Sequence, residues 1–228
     1  MAQDPNRGRV VRPLYALAGV VILGLGAAIL RVGGVGVDPY TAFNAGVGAL
    51  LGWGLGPFQL LANAALFLPV LIWGRSFIGI GTIINMVLTG FFIDFFTGVL
   101  QPILPHDGRP LTAIVYFLVG IMIFDFGASA YMSADVGIAP YDALAPMVVE
   151  RTGWSYKAVR VPQDLAFLVA AAVAGGPVGL GTVMTAFFNG PLIEFFTRRV
   201  NDPLVARLTG DPAGPAGPRA TAEGGGSR

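Results

Sequence analysis

Residues 79–97 read GIGTIINMVLTGFFIDFFT, and residues 179–197 read GLGTVMTAFFNGPLIEFFT. Gly79, Gly81, Thr82, Gly90, Ile93, Phe95, Phe96 and Thr97 recur as Gly179, Gly181, Thr182, Gly190, Ile193, Phe195, Phe196 and Thr197, with Asp94 answered by Glu194. Eight identities and an acid-for-acid exchange in nineteen positions are not a coincidence of composition. Both segments are apolar for most of their length, as a helix in lipid must be. The chain therefore reads as a duplicated membrane protein.

Composition agrees. Hydrophobic residues make up 54% of the 228 positions and charged residues 12%, too few charges to coat a soluble globule. Mean hydropathy is +0.70. The 33 glycines suit helices whose backbones approach closely where lipid supplies no hydrophobic push. A net charge of +1, with no long basic run, argues against nucleic acid as a partner. Zero cysteine removes thiolate chemistry and Cys-based metal sites. The single histidine, His106, sits between Pro105 and Asp107 and reads as a solvated loop residue. No catalytic constellation, metal cluster or cofactor motif emerges, so an enzyme is not expected.

Apolar runs predict six spans: Leu14–Leu30, Phe58–Trp73, Phe77–Leu100, Leu111–Met132, Val161–Ala174 and Val178–Thr197. The first resembles a signal peptide, but no small-residue cleavage site follows it. Val161–Ala174 is short and begins with Gln163 and Asp164 near its start, an interfacial pattern. The expected layout is an N-terminal tail (1–12), a first membrane repeat (13–100), a connecting loop (101–110), a second repeat (111–199) and a mostly disordered C-terminal tail (200–228). The Gly/Pro/Ala sequence from Gly210 has no apolar periodicity.

The repeat extends outward from the opening segments. Val35, Gly36, Pro39, Tyr40 and Ala42 match Val136, Gly137, Pro140, Tyr141 and Ala143 at an offset of 101, and Gly52-Trp53 matches Gly153-Trp154. Pro39 and Pro140 fit the first turn of a helix, where the missing N–H is not needed. Asp38 suits the N-cap of the first copy, and Ala139 cannot serve so in the second. Twelve residues from Tyr40 cover about 18 Å, short of the roughly 30 Å of hydrocarbon. Length thus predicts two short interfacial or re-entrant helices, six spans and halves inverted relative to each other. The positive-inside rule does not choose: six spans leave Arg31 and Arg109 outside, eight leave Arg31 and Arg75.

The pairing of GVGVDPYTA and VGIAPYDAL with GIGTIIN and GLGTVMT resembles the YczE/YyaS/YitT family of bacterial membrane proteins, in its YczE branch. The resemblance covers roughly Leu14 to Arg199. The family's acid after the aromatic is kept at Asp142 and replaced by Thr41; its asparagine is kept at Asn85 and replaced by Thr185. The resemblance implies a bacterial plasma-membrane location and implies no function; the orientation expected from the span count has both termini cytoplasmic.

Polar groups in hydrocarbon need a reason, since a central Asp costs roughly 2.5–3.5 kcal/mol on insertion scales. Asp125, in GIMIFDFGASAY, has no basic residue within a helical turn. It reads as a proton or cation site or a solute contact; the bland alternatives are an acid kept neutral by burial or one paired with an arginine from another span. Thr82, Asn85 and Thr89 form one helical stripe, matched by Thr182, Thr185 and Asn189. The stripes line a common pathway, or they are interhelical glue worth about 0.6 kcal/mol per contact. Gly79, Gly81, Gly179 and Gly181 mark close packing rather than a nucleotide loop. Glu194 has Arg198 four residues on, a structural ion pair, while Asp94 stays open as an ion or coupling residue. Asn63, one turn after Gln59, reads as bundle glue. Tyr40 and Tyr141 stand at helix N-termini that can face an anion, although interfacial aromatics are the favoured reading.

The repeat, the interrupted helices and an unpaired acid at depth point to a small-solute transporter or a substrate-capture subunit. The alternative is a membrane scaffold or regulator acting through Gly-rich faces on a membrane-protein partner or a second copy. Besides any solute, the expected partner is the lipid bilayer.

Overall fold

The computed structural model describes residues 7–105 and 108–210, and among them every regular element is helical. The expectations placed on His106 and on the sequence beyond Gly210 lie outside the described residues. The elements are α1 (Arg7–Val32), α2 (Pro39–Leu50), α3 (Leu55–Trp73), α4 (Ile80–Leu100), α5 (Pro110–Ser133), α6 (Pro140–Thr152), α7 (Tyr156–Val173), α8 (Leu180–Phe196) and α9 (Asp202–Thr209). Four of them, α1, α3, α4 and α5, are long and apolar enough to cross a membrane. The short helices α2 and α6 have 12 and 13 residues, about 18–20 Å of rise. Asp38 Oδ1 accepts from the Thr41 N–H at 3.0 Å and caps α2. Ala139 offers α6 no such cap, and its own N–H donates to the Tyr131 hydroxyl.

Glycine sets how α1 and α5 meet. A Cβ on Gly19 would fall 2.4 Å from Tyr131 N, on Gly26 2.3 Å from Phe124 N, and on Gly33 2.5 Å from Tyr116 Cβ. One number rises as the other falls, so the two helices run antiparallel. Gly120 and Gly127 answer from α5, the latter with a virtual Cβ 2.3 Å from Leu23 N. The spacing of seven keeps one seam facing the partner over three turns and more. Against α4 the sense is parallel: Gly24 abuts Phe92, and Val20 clusters with Ile84 and Leu88. Within the first half α3 returns antiparallel to α4, with Gly56 at Phe91 and Asn63 Nδ2 donating to Met86 O at 3.1 Å.

The two sequence signatures exist for each other. Gly81 N–H donates to Val136 O at 2.7 Å, and Gly181 N–H donates to Val35 O at 2.7 Å. Ile138 N–H donates to Phe77 O at 3.0 Å, and Val37 N–H to Pro177 O at 3.3 Å. Each Gly-x-Gly-Thr therefore clasps the Val-Gly-x-x-Pro-Tyr of the other half. Gly36 and Gly137 sit at φ +92° and +104°, where a side chain is strained.

Large apolar side chains point outward, among them Leu68, Ile72, Phe95, Leu111, Leu118 and Phe187, while the interior combines small residues and buried polar groups with apolar side chains such as Leu30, Leu55, Ile93 and Tyr131. That polarity is what a lipid solvent selects. The C-terminal expectation is corrected in part. Residues 197–201 form a π turn and α9 follows, so helix continues through Thr209. Asn201 is fully buried, donating to Ser129 Oγ at 2.8 Å and accepting from the Tyr15 hydroxyl at 2.5 Å, which ties this turn to α1 and α5.

Candidate functional site

The first turns of α2 and α6 meet inside the molecule. Tyr40 and Tyr141 stack with ring centroids 4.4 Å apart and planes 13° apart, each 5% exposed. Phe167 sets its edge against both, at 5.3 and 5.1 Å. The interfacial reading of these tyrosines is thereby overturned, because each ring finds its best partner in the other.

Around each ring the repeat places the same three positions, differently filled. Tyr141 donates its hydroxyl to Asp164 Oδ1. Arg160 lies over the Tyr141 ring at 4.8 Å and donates to Asp142 Oδ1 and Asp164 Oδ2, each at 3.0 Å. Gln163 Nε2 donates to Tyr141 O at 2.9 Å, so Gln163 and Asp164 are part of this core rather than an interfacial helix start. At the offset of 101, Asp142, Arg160 and Asp164 correspond to Thr41, Gln59 and Asn63. Tyr40 donates to Asn63 Oδ1 at 2.7 Å, the neutral counterpart of the Tyr141–Asp164 bond. Thr41, Gln59 and Asn63 are buried; Asp142 and Arg160 are part-exposed.

Asp125 is completely buried, and neither of its carboxyl oxygens has a hydrogen-bond partner. Asp38 Oδ2, Asn44 Oδ1 and Gln59 Oε1 share that condition. Asn44 Nδ2 donates to Tyr40 O at 2.8 Å, which holds its side chain on the first turn of α2. Asp38 lies within electrostatic reach of Asp125, Asp142 and Asp164. Arg160 holds Asp142 and Asp164 of this group, and no ion pair to Asp125 or Asp38 is present among the described residues.

Other candidates divide. Thr82 and Thr182 are buried, but their hydroxyls close helix caps: Gly79 N–H and Gly179 N–H each donate to them at 3.1 Å, and they in turn donate to Phe77 O and Pro177 O. Thr185 donates to Thr182 O at 3.0 Å, inside its own helix. These three hydroxyls are spoken for, which leaves Asn85, Thr89 and Asn189 as the stripe residues with polar groups to offer. Asn85 and Thr89 are buried, and Thr89 Oγ1 and Asn189 Oδ1 lack partners. Asp94 is not free for ion coupling, because Arg31 NH1 binds its Oδ1 at 2.9 Å and Gly56 N–H donates to its Oδ2 at 2.8 Å. Glu194 pairs with Arg198 at 2.6 Å on the exposed surface. No hydrogen bond joins Asp125 to the stripes among the described residues. Asp142 and Arg160 went unweighed in the sequence as site residues. The signal was present: three polar positions recur in register with three others at 101 residues.

The model of a family of unknown function, DUF6198, matches residues 10–198. The uncharacterized membrane protein YczE of Bacillus subtilis (strain 168) is 33% identical over 187 residues, covering 82% of this chain and 85% of that one. An uncharacterized protein of Haemophilus influenzae is 28% identical over 197 residues, 86% and 84% of the two chains. The uncharacterized protein YyaS of Bacillus subtilis is 25% identical over 183 residues, 80% of this chain and 90% of that one. No solved structure matches.

Proposed function

The chain belongs to the family of unknown function DUF6198 as a YczE-like, multi-pass membrane protein, and we propose that it transports a small solute or captures one for a transporter. The reading is of a non-enzymatic plasma-membrane protein with α1, α3, α4, α5, α7 and α8 as six crossings. In it α2 and α6 are re-entrant, the halves are inverted repeats, and both termini are cytoplasmic. Support comes from the antiparallel seam of α1 and α5, which are equivalent in the repeat, and from the reciprocal clasps at Gly81 and Gly181. Two short helices whose N-termini meet inside the bundle are the kind of interrupted element that builds solute sites in inverted-repeat transporters.

The observation that carries the reading is Asp125, an unpaired acid wholly inside the bundle. An acid kept at such cost without a protein partner is a functional group by default. A thermal-shift screen of small solutes on the purified protein, wild type beside Asp125→Asn, tests it. A solute that raises Tm in wild type alone, and is then taken up by proteoliposomes, is the expected result. Equal shifts in both proteins would remove Asp125 from the site. The scaffold reading needs free small-residue faces, and most glycines of the signature segments and of the α1–α5 seam are consumed by internal contacts.

A further inference from the structure

The first half shuts a seam that the second half leaves open. Between α3 and α4, Gly56 N–H donates to Asp94 Oδ2 at 2.8 Å, and Arg31 binds Asp94 Oδ1 at 2.9 Å. Gly90 lies against that contact, with a virtual Cβ 2.8 Å from Gly56 Cα and 2.9 Å from Gln59 Oε1, and Gln59 is 3% exposed. The counterparts on α7 and α8 are Lys157 for Gly56, Arg160 for Gln59, Gly190 for Gly90 and Glu194 for Asp94, with Met132 of α5 in the place of Arg31. There a Cβ on Gly190 meets nothing within 4 Å. Glu194 turns to Arg198 on the surface, and Lys157 is exposed and makes no ion pair among the described residues. The side chains of Arg160 and Asp142 are 25% and 30% exposed, where Gln59 and Thr41 are buried.

The exchanged residues complement one another. The cation missing from α5 at Met132 returns on α7 as Lys157, the single lysine of the chain. A Cβ on Gly56 would stand 2.9 Å from Phe91 Cδ1, so α7, with Lys157 at that position, stops at a wider spacing from α8. Glu194 is one methylene longer than Asp94, and a lysine reaches further than a backbone N–H, so this pair spans the wider seam.

We propose that the seam between α7 and α8 is the gate to the charged set around Arg160. It is open in this structure and closes in a second state, in which Glu194 leaves Arg198 for Lys157 and Arg160 is covered as Gln59 is now. The exchange gives up only an exposed pair one turn apart, which is a weak contact. Movement of one repeat against the other around a fixed site is how repeat-built transporters present that site to each side in turn. The gate rests on the transporter reading for its purpose, and on the two unequal seams for its geometry.

A water-soluble carbodiimide joins a carboxylate to an amine that touches it, and one lysine makes the product unambiguous. The purified full-length protein is treated with the reagent, with glycine ethyl ester added to a parallel sample to capture activated Glu194, and digested for mass spectrometry. A Lys157–Glu194 amide is expected in wild type. Gly190→Leu places its side chain in the open seam and is expected to fold as wild type does. By blocking closure it lowers the amide about tenfold or more. If Gly190→Leu does not fold, the smaller Gly190→Val takes its place. Capture of Glu194 by the ester without any amide to Lys157 in wild type would overturn the gate. So would an amide undiminished in the variant, since the two side chains would then meet with the seam open. None of these readouts involves uptake or the Asp125 screen, so the gate and the transporter reading fail separately.

Discussion

Tyr40 lies flat on Tyr141, 4.4 Å between ring centroids, and the two residues are equivalent in the sequence repeat. Each is the second residue of a short helix that begins with proline. Their contact brings the N-termini of two short helices together inside the molecule. Three matched positions beside the rings are filled differently: Asp142, Arg160 and Asp164 on one side, Thr41, Gln59 and Asn63 on the other.

Replacing Arg160 tests how the charged side holds together. Arg160→Gln leaves Asp142 and Asp164 facing each other without a cation. A loss of about 3 kcal/mol is expected, at the low end for a broken buried pair because the Arg160 side chain is 25% exposed. The triple variant Asp142→Thr, Arg160→Gln, Asp164→Asn recreates the neutral set of the first half. It should recover stability to within about 1 kcal/mol of wild type. Chemical denaturation of all three proteins checks both; a triple variant no better than Arg160→Gln contradicts the equivalence of the two sets.

The clasps between halves depend on absent side chains. A Cβ at Gly79 would stand 2.1 Å from Val136 O, the carbonyl that receives the Gly81 N–H. Gly79→Ala should therefore cost about 1–3 kcal/mol, since backbone rather than a flexible side chain must yield. Gly98→Ala, where a Cβ meets nothing within 4 Å, is the matched control and should be neutral or slightly stabilising. Melting temperatures in one detergent compare them directly.

Gly90 and Gly190 are the same position of the repeat in different company. A Cβ at Gly90 would meet Gly56 Cα at 2.8 Å and Gln59 Oε1 at 2.9 Å, whereas one at Gly190 meets nothing within 4 Å. Gly90→Ala is expected to destabilise by about 1–3 kcal/mol and Gly190→Ala to gain up to about 1 kcal/mol from helix propensity. Equal effects in a thermal melt would mean that α8 packs as tightly on α7 as α4 does on α3.

Topology is open to chemical labelling, since the chain has no cysteine of its own. With six crossings, cysteines placed at Leu104 and Ser155 should react with a membrane-impermeant maleimide from opposite sides of the membrane. Reaction of both from one side contradicts six crossings and inverted halves.

Much of this molecule is legible in the residue order. Gly79 to Thr97 matches Gly179 to Thr197 at eight positions, and identical residues at a fixed offset need no geometry to be seen. The twelve-residue limit on α2, set by rise per residue against hydrocarbon thickness, shows equally that it is too short to span. Asp38 as a cap and Glu194 with Arg198 follow from local spacing alone. These are relationships within one turn of helix or within one line of text.

The partnerships between distant segments are of another kind. Arg31 with Asp94, Tyr40 with Tyr141, and Gly81 with Val136 span 63, 101 and 55 residues, and nothing local distinguishes them from other pairings. Tyr40 read as an interfacial aromatic because proline and tyrosine at a helix start fit that place as well as a buried one. Thr82 and Thr182 read as pathway residues because a threonine stripe looks the same whether its hydroxyls face a solute or a helix cap. Sequence alone determined the apolar solvent, the recurrence of residues at a fixed offset and the short reach of α2. Only tertiary packing decided which polar atoms are satisfied by the protein and which, like those of Asp125, are left to something else, because hydrogen-bond satisfaction is a property of groups brought together from different helices.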